Sequence, residues 1–356
     1  MDTLWSRLPR PIHALAPMED VTDTVFRRIV ARCGRPDVFF TEFIHTNIVL
    51  ARRRRRPGVT PRLVYVSEER PLIAQIWGND PVGYERAAAR LVAMGFDGVD
   101  INMGCPVRKI RARGACSGLI LQPSLAAELI AAAREGIERG RRELATSAHD
   151  TGNDRDTAAG DGAGGAAARF PLSVKTRIGY SAPQTEEWIG HLLSCDLDAL
   201  TIHGRYAEQE SEGEADWNEI GRAAALARQM GVSTAILGNG DVSSRTEIRE
   251  KSERYGLDGV MVGRGIFSDP YLFAAPGRAV AFADAEPAEK INLLLDHVRL
   301  YREVWGETRN YEILKKFYKI YLSGFPGAQT LRDRLNLTHD FDSAERVVQA
   351  WVASRR

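Results

Sequence analysis

The stretch "DINMGCPVRKIRARGACSG", Asp100 to Gly118, pins a cysteine before a proline and beside Asn102 and Met103. Cys105 there can be inert packing, half a disulfide, a metal ligand or a reacting group. The four cysteines of the chain, Cys33, Cys105, Cys116 and Cys195, make no CxxC pair and no dense framework. That argues against structural zinc and a disulfide scaffold, and it suggests a reducing cytoplasm with Cys105 as a free thiol. Other residues able to do chemistry close short apolar runs: Pro17, Met18 and Glu19; Glu42; Gln75; Asn102; Lys175 and Arg177; His203 and Arg205; Asn239, Gly240 and Asp241; Gly263 and Arg264.

Those apolar runs are the elements that must position them. "IHALAP", "VFFTEF", "LIAQIW", "GVDINM", "LSVKTRI", "ALTIHG", "TAILGNG" and "GVMVGRG" are nearly uniform rather than alternating, as in strands buried on both faces. Helix-compatible segments such as "DPVGYERAAARLVAMG", "PSLAAELIAAAREGIERG" and "ADWNEIGRAAALARQMG" lie between them, each opening on a turn or cap residue and closing at glycine. Eight such units predict an α/β fold, a (β/α)8 TIM barrel. An open doubly wound sheet is the alternative, but no GxGxxG opens the first unit to favour a dinucleotide fold. A barrel gathers its chemistry at the carboxyl ends of its strands. A full circle of amides, cations and small residues there reads as a site rather than as packing.

The last two runs end in the glycine-rich turns "GNGD" and "GRG". Glycine lets backbone N–H groups converge on an anion, and barrels commonly hold phosphate after strands seven and eight. Arg264 adds a charge-assisted fork. Lys175 offers a fixed cation for a reduced, anionic isoalloxazine ring, Gln75 a donor and an acceptor for its edge, and Met18 a soft surface for its face. Lys175 alone also suits the Schiff-base lysine of an aldolase. Together with the phosphate turns, these residues suit FMN better.

The remainder of the chain bounds the organisation. Net charge is +1 at pH 7, from 48 basic and 47 acidic residues, so any nucleic-acid surface must be local. No apolar run approaches the ~18–20 residues of a membrane span, so no membrane partner is expected. Residues 141–169, rich in Gly, Ala, Asp and Thr, read as a flexible insertion after a helix ending near Gly140. The barrel domain is expected over residues 1–275. A helical domain follows over 285–356, where "KKFYKIY" sets Lys315 and Lys319 one turn apart as a basic stripe. Arg52 to Arg56 form a second basic run, after the second strand.

"APMEDVTDTVFRR", "NMGCP", "VKTRIG", "HGR", "GNGD" and "GRG" stand in an order and spacing that resembles the tRNA-dihydrouridine synthases. The likeness runs from about residue 14 to 270. It implies an FMN enzyme that reduces a uridine of tRNA with NADPH, carrying a C-terminal helical tRNA-binding domain. By motif, the resemblance places Pro17, Met18, Glu19, Gln75 and Lys175 at the flavin, and His203 at the flavin or its phosphate. Asn239, Gly240, Asp241, Gly263 and Arg264 fall in the phosphate region. It makes Asn102 an orienter of the target uracil and Cys105 the proton donor, with Arg177, Lys315 and Lys319 on the substrate side. A monomer without metal is expected.

The implied chemistry gives Cys105 a reason. Reducing the C5=C6 bond of uracil needs hydride at C6, from N5 of reduced FMN, and a proton at C5 from the opposite face. A thiol of pKa near 8.5 suits that general acid, and the site is expected to leave its pKa undepressed. Cys116, where relatives usually carry a small residue, reads as a bystander. Two other readings remain: an FMN barrel acting on a free pyrimidine, and a flavin-free barrel serving as an RNA-binding scaffold. The first needs no C-terminal helices, and the second does not need the cofactor circle.

Overall fold

Each of the eight apolar runs becomes a parallel strand. A computed structural model describes residues 2–51, 60–150, 169–275 and 281–355. Its strands are β1 (Ile12–Leu15), β2 (Phe39–Phe40), β3 (Ile44–His45), β4 (Leu72–Trp77), β5 (Gly98–Met103), β6 (Leu172–Arg177), β7 (Ala199–His203), β8 (Ala235–Asn239) and β9 (Gly259–Val262). The hydrogen-bonded order is β1-β9-β8-β7-β6-β5-β4-β2, with β3 also on β4. β2 and β3 are thus two pieces of the second barrel strand. The parallel bridge Ala14–Val38 returns the sheet to β1 and closes the barrel.

Two apolar layers result from strands that face inward and outward by turns. The interior is filled by apolar side chains, among them Ala14, Phe40, Ile73, Ala199, Ala235, Leu237 and Met261, and Trp5 of the short helix Leu4–Arg7 packs with them. The outer layer lies between strands and helices and runs without a break into the C-terminal helices. Helices begin where the sequence places caps: Asp80 accepts from the Val82 and Gly83 N–H groups, and Asp216 from those of Asn218 and Glu219.

One helix departs from expectation. The helix Pro123–Asp150 does not stop near Gly140. A side chain at Gly136 or Gly140 would strike the carbonyl oxygens of Glu85 and Ala89, so these glycines let it lie against the helix Pro81–Ala93. Gly140 is a contact point rather than a stop, and the Arg, Glu, Leu and Ala residues after it continue the helix. The insertion expected over 141–169 is therefore helical at its start, and residues 151–168 lie outside the described residues.

Beyond the barrel come the helices Pro287–Trp305, Ala328–Asn336 and Phe341–Ala353, with the tight turn Tyr311–Phe317 and the short helix Tyr318–Tyr321 between the first two. They are tied to the barrel mouth through the helix Thr24–Cys33. Asp23 caps that helix with one oxygen and accepts from Trp305 Nε1 at 2.9 Å and Arg309 at 2.8 Å with the other. Phe26 stacks on Phe317 with ring centroids 5.3 Å apart, and His297 is buried against both rings. Burial holds His297 neutral, lowering its pKa to about 3. No single helix among the described residues is long and apolar enough to cross a membrane.

Candidate active site

A cavity of about 550 Å³ opens at the carboxyl ends of β1 and β6 to β9. Pro17, Met18, Lys175, His203, Asn239, Gly240, Asp241, Gly263 and Arg264 all line it. Register explains the convergence: Arg177 pairs with His203 and His203 with Asn239 on neighbouring strands, so these side chains share the inner face. Lys175 donates to Asn239 Oδ1 at 3.0 Å, and Asn239 Nδ2 donates to the Met261 carbonyl at 2.8 Å. Burial, then Arg177, lowers the Lys175 pKa to about 8. Gly240 holds φ +128°, and a Cβ there would meet Ala215 and His203, so only glycine makes this turn without strain.

An arginine to which the sequence gives no role organises this side. Arg205, 2% exposed, donates to His203 Nε2 at 3.1 Å and to Asp241 at 2.6 Å. A guanidinium can only donate, so His203 Nε2 accepts and the ring's proton is on Nδ1. Burial and the surrounding cations push the His203 pKa well down, which keeps the ring neutral. Asp241 lines the cavity and also orients Arg205: its Oδ2 accepts from Arg205 and from the Ala215 N–H at 2.8 Å. The Glu19 carboxylate pairs with Arg62, and Glu19, like Gln75 and Asn102, is not among the residues that line this cavity.

The other side of the mouth is a chain of satisfied polar groups. Asp100, fully buried on β5, accepts from Ser173 Oγ at 2.6 Å and from Gln75 Nε2 at 2.7 Å. Gln75 Oε1 accepts from Asn102 Nδ2 at 3.0 Å. Asn102 Oδ1 then accepts from the Gly104 and Cys105 N–H groups at 3.0 and 2.9 Å. The turn that presents Cys105 is thus bolted through two amides to one carboxylate. Burial raises the Asp100 pKa to about 6. Arg177, expected on the substrate, is 4% exposed and spent on the turn: Nε donates to the Gly104 carbonyl at 2.7 Å, and Nη1 to those of Tyr206 and Glu210 at 3.1 and 2.7 Å. It is a buttress of the Cys105 loop.

Cys105 is half-buried at the end of this chain, and Cys116, fully buried, lies beside it. The neighbouring Cys116 thiol, joined by the Val107 N–H and the charge of Arg177, outweighs burial and lowers the Cys105 pKa to about 7. The expectation of an undepressed thiol does not hold. Cys116, read as a bystander, stands beside Cys105, and its own pKa is pushed well up by burial.

With this geometry in hand, comparison with known proteins is specific. The family model "Dihydrouridine synthase (Dus)" matches residues 14–141 and 165–355. The chain belongs to the dihydrouridine synthase family. A probable tRNA-dihydrouridine synthase 2 of Bacillus subtilis (strain 168) is 37% identical over 343 residues, covering 96% of this chain and 94% of its own. A probable tRNA-dihydrouridine synthase of Staphylococcus aureus (strain COL) is 36% identical, covering 99% and 96%. Among solved structures, DHODH from Eimeria tenella in complex with ferulenol superposes with a TM-score of 0.48 at 15% identity, over 73% of this chain and 78% of that one. That likeness is too slight to bear on function. The gap in the family match, 142–164, falls inside the insertion read from composition.

Within this family member the tail meets the mouth at a second cavity of about 540 Å³, lined by Arg264, Lys316, Lys319, Phe267 and Phe317 among others. It shares Arg264 and Ser268 with the first. The basic stripe is not the one read from "KKFYKIY". Lys315 sits in the tight turn Tyr311–Phe317 and is held by Glu312 and the Asn336 carbonyl, both at 2.7 Å, whereas Lys319 opens onto the cavity. The tighter winding before Tyr318 breaks the α-helical spacing that would align the two. The run Arg52 to Arg56 lies outside the described residues. Glu42, noted only as a strand-end residue, is fully buried beside Asp20, whose N–H it accepts at 2.6 Å; burial lifts its pKa to about 7. Among the described residues no cluster of His, Cys, Asp and Glu could hold a metal ion.

Proposed function

We propose that the protein reduces the C5=C6 bond of a uridine in tRNA to dihydrouridine, with FMN in the mouth cavity and NADPH as electron donor. The observation that carries this reading is a thiol, fixed by Asn102, at the same barrel mouth as a cation-lined cavity, in a chain of this family. The cavity's volume of about 550 Å³ lies within the usual ~300–1,000 Å³ of cofactor sites. Its donors fit FMN: Arg264 and the Gly240 turn for the phosphate, the Lys175 ammonium for an anionic ring, and Met18 for a flat apolar face. Gln75 has one Nε2 hydrogen left for the ring's edge once Asp100 is satisfied. When bound, the flavin supplies the hydride for C6.

The protein's own residues do the rest. Asn102 keeps one Nδ2 hydrogen after bonding Gln75 and can orient a uracil carbonyl while its Oδ1 shapes the Cys105 turn. Cys105 delivers its proton to C5. A general acid works best with a pKa near the working pH, so a value of about 7 suits the role better than an ordinary thiol's. The base must leave its stack to reach this mouth. Lys316 and Lys319, lining the second cavity, grip backbone phosphates beside it, in keeping with residues 1–275 serving catalysis and 285–356 tRNA.

The test is spectroscopic. The purified protein should show a flavin spectrum that bleaches anaerobically with NADPH and recovers on adding tRNA that carries unmodified uridine. Recovery with a free pyrimidine but not with tRNA would overturn the substrate, and failure to take up FMN would overturn the reading.

A further inference from the structure

We infer that Cys105 and Cys116 form an oxidative modification site, in which a peroxide oxidises the mouth-facing thiol and the buried thiol closes a disulfide onto it. The inference goes beyond the reading above and needs neither flavin nor tRNA.

Three features of the loop carry it. The two thiols are neighbours, close enough that each perturbs the other's titration, and an S–S bond needs their sulfurs to close to ~2.05 Å. The backbone between them is already clamped: Ser117, next to Cys116, donates to the Cys105 carbonyl from Oγ at 2.8 Å and from N at 3.4 Å. Cys116 also holds φ +52°, a left-handed conformation that a non-glycine residue adopts at a cost. Exposure divides the roles. Cys105 is half-buried at the mouth, where a small oxidant arrives, whereas Cys116 is 0% exposed and can react only with what Cys105 has become. The Arg177 charge and the Cys116 thiol both favour the Cys105 thiolate, the form that attacks peroxide.

The steps balance with hydrogen peroxide as oxidant. The Cys105 thiolate attacks one peroxide oxygen, the O–O bond breaks, hydroxide leaves, and the sulfur becomes a sulfenic acid. Cys116 then gives up its proton and attacks that sulfur. The S–O bond breaks, and the departing hydroxide takes the proton as water. The two thiols lose two electrons and the peroxide gains them. Neither other cysteine is placed to compete: Cys33 is buried in the helix Thr24–Cys33, and Cys195 donates to the His191 carbonyl below β7. A dithiol reverses the bridge.

The experiment treats the full-length protein with stoichiometric hydrogen peroxide, alkylates the remaining thiols after unfolding, and maps tryptic peptides. Trypsin cuts between the two cysteines, after Arg108, Lys109, Arg111 and Arg113, so a bridge appears as two joined peptides. The expected result is a Cys105–Cys116 linkage, with alkylatable thiols falling from four to two and restored by dithiothreitol. Cys116→Ser should instead carry Cys105 on to sulfinic acid, which dithiothreitol does not reverse. Sulfinic Cys105 beside an alkylated Cys116 in the wild-type protein would overturn the inference. So would a bridge from Cys105 to Cys33 or Cys195, or no oxidation of Cys105 under excess peroxide.

Discussion

The two sides of the barrel mouth are built on opposite principles. From β6 round to β9, cations face a cavity: Lys175, Arg264 and the Arg205–His203 pair carry more charge than the nearby carboxylates return. From β4 to β5, polar groups face one another, and Asp100, Gln75 and Asn102 satisfy almost every donor and acceptor they own. A surface with an excess of cations suits an anionic ligand, whereas a network of mutually bonded groups is rigid and serves to hold one residue, Cys105, in place. Binding and proton delivery are therefore separable.

Substitutions can break that separation or sharpen it. Cys105→Ala should cost the largest factor, about 10²–10⁴ in turnover, the usual worth of a general acid. It should leave flavin absorbance intact, and loss of the flavin in that variant would show that the two sides are one. Lys175→Ala should do the reverse. Losing a charged donor of ~1.5–3 kcal/mol should weaken flavin binding about tenfold to a hundredfold, measured by titrating the apoprotein. The apoprotein itself should be no less stable, because a partly desolvated ammonium has been removed.

Asp100→Asn tests the satisfied side. Its new N–H must face either the Gln75 Nε2 donor or Ser173 Oγ, which must then turn its own proton elsewhere, and the expected loss is about 1–3 kcal/mol in denaturant unfolding. A neutral result would mean that the network is idle. The smallest effect is on pH dependence. Cys105 must be protonated to donate, so turnover should be full below about pH 7 and fall as pH rises past it. Cys116→Ala removes the largest cause of that lowered value, so the falling limb of the pH–rate profile should move to higher pH. An unmoved limb would assign it to another group.

Much of this architecture is legible in the chain itself. Strand ends, cap residues and glycine turns are local signals, and they locate the barrel and ten of the cavity's lining residues. Signals that mean different things in different surroundings mislead. Gly140 reads as a helix stop because a glycine that ends a helix and one that admits a neighbouring helix are the same residue in sequence. Arg177 reads as a free cation, yet three backbone carbonyls of distant loops claim it. Asp100 carries a readable hint: it is two residues before Asn102 on one strand, so both face inward, and a carboxylate inside a barrel demands donors.

The sequence by itself determined the fold, the family and which residue types stand at the mouth, because each depends on order and local pattern along the chain. Only the tertiary structure decided what each residue does there. Whether a carboxylate faces a ligand or an arginine, and whether Cys116 lies beside Cys105, depends on strand register and on loops meeting across the barrel. Those contacts join residues far apart in sequence through a few ångströms of space, and no local pattern encodes such a distance.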